Sequence, residues 1–212
     1  MSLTYYKPNS HNKGSLLSVN FSAKADKTTD GKTEKGDKSF YFKFIAQTSW
    51  DDKEKTGGFK DGKSIIAKMS PTEVAGILAA IARNTTLADM MNQEYIYHDG
   101  ATSATTIYFN PAFKKIKVDE KWVDLDKQVG FVMRLSKAEK ANKDNRESLG
   151  ITLTYAETEL LMEFLKDGLN HIFNALYSED VSRGQAQTKK ATKTAEPKAP
   201  VESGSDEPPA SW

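Results

Sequence analysis

Apolar residues along this chain recur at two different periods, and the two periods follow one another in the same order twice. Leu17, Val19 and Phe21 alternate with Ser18, Asn20 and Ser22, and Phe40, Phe42 and Phe44 alternate with Tyr41 and Lys43. This is the period of two that marks half-buried strands, with Ile45 the apolar exception on the second face. A third strand over 64–69 delivers the chain to a helix from Pro71 to about Arg83, with proline at the favoured first helical position. The order then repeats. Thr105 to Phe109 and Phe113 to Val118 read as a hairpin turning at Asn110-Pro111, and Val129, Phe131, Met133 and Leu135 alternate with Gly130, Val132, Arg134 and Ser136. A strand over 149–153 leads into a second helix, Tyr155 to about Tyr177. Its Leu161, Phe164, Leu165, Leu169, Ile172, Phe173 and Leu176 predict burial on more than one side.

Both helix starts carry the same signal. Ser70-Pro71-Thr72-Glu73 and Thr154-Tyr155-Ala156-Glu157 fit the capping box S/T-x-x-E, in which the hydroxyl accepts from an orphan helical N–H and the glutamate reaches back to the cap residue's own N–H. Ile65, Ala67 and Met69 lead into the first box as Leu149, Ile151 and Leu153 lead into the second, at one constant offset. The chain reads as an internal repeat.

The predicted fold class is α+β, with two tandem antiparallel-sheet-plus-helix units over about 15–84 and 95–180. They form one domain from 15 to 182, between a flexible N-terminus over 1–14 and a disordered tail over 183–212. The lysine-rich stretches 24–38, 51–63 and 137–148 read as long hairpin loops. His98-Asp99-Gly100 reads as a turn. From Arg183 onward hydrophobic periodicity gives way to Lys, Thr, Ala, Pro, Ser and Gly, a composition that cannot offset ordering entropy by burial.

Composition changes this picture mainly by exclusion. The 212 residues contain no cysteine, so there is no disulfide framework, thiolate metal site or cysteine nucleophile, which suits a reducing compartment. Neither a secretory leader nor a membrane span is legible. The expectation is a soluble cytoplasmic protein of a bacterium or a virus-infected host, with organelle and nucleus left open. His11, His98 and His171 are scattered, phosphate-binding and nucleophile-elbow strings are missing, and the acid pairs Asp51-Asp52 and Asp119-Glu120 lie in polar stretches. No enzyme, cofactor or metal is expected. Lys plus Arg number 30 against 29 acids, a net charge of +1, so any polyanion site must come from local clustering.

Two tandem units of antiparallel strands followed by one helix resemble the Whirly fold of plant single-stranded DNA-binding and kinetoplastid RNA-binding proteins. The homodimeric positive cofactor four coactivators are similar, with one such unit per chain. The resemblance covers about residues 15–180 and rests on element order and the duplicated strand-to-capped-helix junction. It implies a surface of strands and hairpin loops that holds single-stranded nucleic acid with little sequence preference, and a homo-oligomer, dimer or tetramer.

Such a surface needs cations along the backbone path and exposed rings for base stacking. Tyr41 and Lys43 lie opposite the phenylalanine face of their strand, and Arg134 stands between Met133 and Leu135 as Lys43 stands between Phe42 and Phe44. Lys68, Tyr108, Lys115 and Lys117 add the same chemistry on neighbouring strands, and Trp50, Phe59 and Trp122 sit at loop edges. Each has a plainer reading as well: strand lysines keep an edge soluble, and large aromatics anchor packing. The tail ending in Asp206-Glu207-Pro208-Pro209-Ala210-Ser211-Trp212 resembles those of bacterial and viral single-stranded DNA-binding proteins. The resemblance implies that Asp206, Glu207 and Trp212 engage replication or repair proteins. Single-stranded RNA binding, or a scaffold role in a viral or multiprotein assembly, are the alternatives.

Overall fold

A computed structural model of the chain describes residues 1–29, 32–118, 120–142 and 144–194. In chain order its elements are β1 (Ser2–Lys7), β2 (Ser15–Ala23), β3 (Lys27–Thr29), β4 (Lys32–Glu34), β5 (Lys38–Ala46), β6 (Ser49–Asp51), β7 (Thr56–Gly58), β8 (Ser64–Met69) and α1 (Pro71–Ala82). There follow α2 (Leu87–Met91), β9 (Ile96–Asp99), β10 (Ser103–Val118), β11 (Lys121–Glu139), β12 (Arg146–Thr154) and α3 (Tyr155–Thr194). One antiparallel sheet has the order β1-β2-β5-β8 and the other β9-β10-β11-β12, so each half is a four-stranded meander that feeds a helix. By its contacts the chain divides into Met1–Leu176, which holds both sheets, and Tyr177–Trp212, in which α3 continues to Thr194.

The repeat extends to register. Phe40 pairs with Met69 as Phe131 pairs with Leu153, and Lys43 pairs with Ile66 as Arg134 pairs with Gly150. The alternation read from the sequence sends one face of each sheet inward. Leu17, Val19, Phe40, Phe42 and Phe44 of the first sheet and Ile107, Phe109, Phe131, Met133 and Leu135 of the second join Ile77, Leu161 and Leu165 in a single apolar core. Both capping boxes form. Ser70 N donates to Glu73 Oε2 at 2.7 Å and Thr154 N to Glu157 Oε2 at 2.8 Å, while each glutamate's own N–H donates to the cap hydroxyl at 3.3 Å.

Each helix is fastened to the sheet of the other half. At the start of α1, Glu73 Oε1 lies 2.7 Å from His98 Nε2 on β9, and just past its end Asn84 Oδ1 accepts from Gln128 Nε2 of β11 at 2.7 Å. At the start of α3, Glu157 pairs with Lys7 of β1 and its carbonyl accepts from the Tyr5 hydroxyl at 2.7 Å. Further along, Phe164 packs on Phe21 of β2 with ring centroids 5.7 Å apart. Gly168 admits the Phe40 ring, because a Cβ there would stand 2.5 Å from Phe40 Cε1. The two capping-box glutamates therefore make equivalent, reciprocal bonds across the molecule.

Several expectations need correction. The flexible N-terminus expected over 1–14 contains strand β1, since Tyr5 is buried and Ser2–Lys7 pair with β2 along their whole length. The hairpin expected at Asn110-Pro111 is one continuous strand, β10. Proline is tolerated there because β9 pairs only with 104–107, leaving the Pro111 nitrogen on an edge where no ladder donor is needed. The turn lies instead between Val118 and Lys121, where Glu120 has φ +64°. Two of the expected long loops fold back as the ribbons β3-β4 and β6-β7, and the third is shortened by β11 and β12. His98 and Asp99 belong to β9 and not to a turn. The helix expected to stop near Tyr177 continues to Thr194, and 195–212 lie outside the described residues. Among the described residues no helix is long and apolar enough to cross a membrane.

Candidate nucleic-acid interface

The outward faces of the two sheets carry five of the residues singled out from sequence: Tyr41, Lys43, Lys68, Tyr108 and Arg134. On the first sheet Tyr41 and Lys68 are directly opposite across β5 and β8, and Lys43 lies between Ser18 and Ile66. Asp37, at the entry to β5, ties two of them together: it accepts from the Tyr41 hydroxyl at 2.5 Å, and Lys68 Nζ lies 2.9 Å from its other oxygen and 5.7 Å from the Tyr41 ring centre. Burial alone would raise the Asp37 pKa, but hydrogen bonds from Tyr41, Lys68 and Ser39 hold it below the ordinary carboxylate value, while Lys68 is raised by the same carboxylate. Tyr41 is raised in turn, first by its bond to Asp37. This part of the face is internally neutralised.

On the second sheet Tyr108 of β10 stands directly opposite Arg134 of β11. Lys43 and Arg134 occupy equivalent register positions, as the sequence parallel implied. The Tyr95 ring packs against Tyr108 with centroids 5.3 Å apart, and Tyr97, 54% exposed, projects from β9 opposite Thr106. These tyrosines open onto a groove of about 350 Å³ that Ser136, Lys140 and Arg146 also line. Lys140 Nζ holds Asp99 Oδ1 at 2.6 Å at one end.

The other candidates fall elsewhere. Beyond Ala112 and Gly130 the pairing slips, and β10 and β11 continue as a two-stranded arm. Gly130 has φ +145°, and a Cβ there would meet the Leu153 carbonyl oxygen at 1.9 Å, so glycine is required at the slip. Lys115 and Lys117 are exposed on this arm, opposite Asp124 and Trp122; the Trp122 side chain lies outside the described residues. Phe59 packs on Tyr6 of β1 at 4.9 Å, and Trp50 on the β6-β7 ribbon donates its ring N–H to Asp52 at 3.0 Å. Phe59 is thus a packing anchor. Asp206, Glu207 and Trp212 lie outside the described residues.

Tyr95, Tyr97 and Asp37 were not singled out from sequence. The alternation Tyr95-Ile96-Tyr97 is the signal that could have found the tyrosines, but three residues ahead of His98-Asp99-Gly100 are too short a pattern to mark a strand. Among the described residues no group of three or more His, Cys, Asp or Glu is placed to hold a metal ion.

The architecture is that of the Whirly proteins. WHY3 from Arabidopsis thaliana superposes with a TM-score of 0.56 at 14% identity, over 88% of this chain and 96% of that chain. The plant transcriptional regulator PBF-2 gives 0.55 at 14% identity, over 85% and 94%. WHY1 from Arabidopsis thaliana gives 0.53 at 14% identity, over 94% and 96%. No protein-family model matches the chain, and no curated protein matches it in sequence.

Proposed function

We propose that this Whirly-type chain is a non-catalytic protein that binds single-stranded DNA with little sequence preference, along the outward faces of its sheets. The observation that carries the proposal is the register pair Tyr108–Arg134, a ring beside a guanidinium on an open strand face, with Lys43 at the equivalent place in the other half. Rings stack on unpaired bases at roughly 1 to 3 kcal/mol per base, and cations track the phosphates. Lys68, Lys115 and Lys117 extend the cationic path, with Tyr41, Trp50 and Trp122 at its margins. The neighbours are consistent with a nucleic-acid role, since PBF-2 is a transcriptional regulator by name. The proposal includes assembly as a homo-oligomer and recruitment of replication, recombination or transcription proteins through Asp206, Glu207 and Trp212.

The test is fluorescence anisotropy of a labelled mixed-sequence single strand at two salt concentrations, with duplex DNA and single-stranded RNA as competitors. Salt-sensitive binding that duplex displaces poorly is the expected result; RNA competition decides the polymer, because both share base faces and phosphates and only the 2′-hydroxyl separates them. The double variant Lys43→Ala/Arg134→Ala is expected to bind more weakly and with a shallower salt dependence, by about 0.7 in log–log slope for each phosphate that is no longer neutralised. Unchanged affinity in a folded double variant removes these two residues from the site. No binding by the parent protein at low salt ends the reading.

A further inference from the structure

The two sheets are equivalent in backbone and not in surface. Across the second sheet one cross-strand row reads Tyr97, Thr106, Ser136, Ser148 from β9 to β12. The next reads Tyr108, Arg134, Gly150 from β10 to β12, with Tyr95 closing its β9 end through ring contact with Tyr108. Tyrosine rings thus stand on one side of the face and a guanidinium on the other, above a floor of small side chains. Strands lie about 4.8 Å apart, so the three spacings from the β9 rings to the β12 strand make a floor roughly 14 Å wide. The Ser136 and Ser148 hydroxyls bond to each other at 2.9 Å and so offer that floor as a closed polar pair.

The equivalent rows of the first sheet read Tyr6, Leu16, Ile45, Ser64 and Thr4, Ser18, Lys43, Ile66. Here Thr4 and Ser18 stand where the second sheet has Tyr95 and Tyr108, an ammonium stands for the guanidinium, and Ile66 fills the place left open by Gly150. Tyr6 is the counterpart of Tyr97, but its hydroxyl donates to the Gly57 carbonyl and its ring packs on Phe59, so the β6-β7 ribbon occupies it. Tyr41 is held by Asp37.

From this asymmetry we infer that the second sheet is the base-binding half of the site, with Tyr95, Tyr97 and Tyr108 as its stacking platform and Arg134 as the facing cation, while the first sheet contributes charge alone. The ligand class is the unpaired base of a single strand, since a paired base within a duplex keeps both its faces covered by its neighbours. The inference rests on the proposed function and deepens it. Arg134 beside Tyr108 serves both purposes, because a guanidinium stacks on a base and bonds to a phosphate, which an ammonium such as that of Lys43 does only as a point charge.

The experiment compares two probes on the full chain, a labelled single-stranded DNA and an abasic oligonucleotide of equal length that has the same phosphates and no bases. The parent protein is expected to prefer the base-containing strand. Tyr97→Leu/Tyr108→Leu should weaken that strand by roughly 5- to 150-fold for each base left unstacked, leave the abasic strand unchanged, and leave the salt slope unchanged. Tyr97→Phe/Tyr108→Phe keeps both rings and should bind as the parent does, which separates stacking from folding. Tyr41→Leu on the first sheet should leave the ratio between probes unaltered. Parent protein that binds neither probe defeats the proposed function itself. Parent protein that binds both equally, leucine variants that keep the preference, or a ratio that collapses in Tyr41→Leu overturn the asymmetric site while leaving single-strand binding in place.

Discussion

Asp37 already holds a cation of the first sheet, 2.9 Å from Lys68 and 2.5 Å from the Tyr41 hydroxyl. A ligand phosphate that engages Lys68 must compete with a carboxylate already in place. Asp37→Asn is therefore expected to raise affinity for single-stranded DNA and to steepen its salt dependence by about 0.7 in log–log slope, if Lys68 then gains one phosphate. An unchanged slope in salt titrations would place Lys68 off the path. Residue roles of this kind were partly legible in the chain. Lys43 and Arg134 stood out because each is a cation between two core residues of an alternating strand, and that periodicity is local. Tyr95 and Tyr97 did not, because the contact that gives them meaning, Tyr95 on Tyr108, depends on the pairing of β9 with β10. Asp37 likewise lies in a polar stretch and acquires its role only when β8 brings Lys68 beside β5.

Among the elements, the helix starts were the most legible and also carry the most tertiary information. Burial would raise the pKa of both capping-box glutamates, yet their bonds hold them below the ordinary value of 4.5: from Ser70 and His98 for Glu73, and from Lys7 and Thr154 for Glu157. A depressed carboxyl stabilises the folded state in its ionised form, so this contribution is fully present above about pH 4.5 and is lost as pH falls through the lower folded value. Glu73→Gln/Glu157→Gln keeps a side chain able to complete the capping box while removing the charge. Chemical denaturation between pH 6 and pH 3 is expected to show a flatter decline for this variant below pH 4.5 than for the parent protein. Identical profiles would mean that the paired charges contribute nothing to acid sensitivity. Strand ends were less legible. Asn110-Pro111 has strong turn chemistry, and what overrides it is the partner β11, which pairs with Pro111 through Phe131 on one side while the other side stays an edge.

At the scale of the whole molecule, the duplication was legible but the bonds from each helix to the other half's sheet were not, since a sequence repeat does not say which strands a helix will meet. Because Glu157, Phe164 and Gly168 of α3 meet β1, β2 and β5, the first sheet loses part of the cover over its inner face when the second half is absent. A fragment comprising residues 1–84 is expected to show no cooperative thermal transition by circular dichroism, whereas an independent melt of that fragment would mean that α3 is dispensable to it. The reciprocal bonds Glu73–His98 and Glu157–Lys7 have the form of a two-fold handshake between identical partners, yet here both hands belong to one polypeptide. Two identical subunits must change both copies of a position at once, whereas a fused pair is free to alter one. Arginine could stand opposite a glycine in one half while lysine faces an isoleucine in the other, and tyrosine could appear where its counterpart stayed a serine. If a strand binds as proposed, two unlike halves in one chain would give it something a symmetric dimer cannot offer, a front and a back, and so a direction in which to lie.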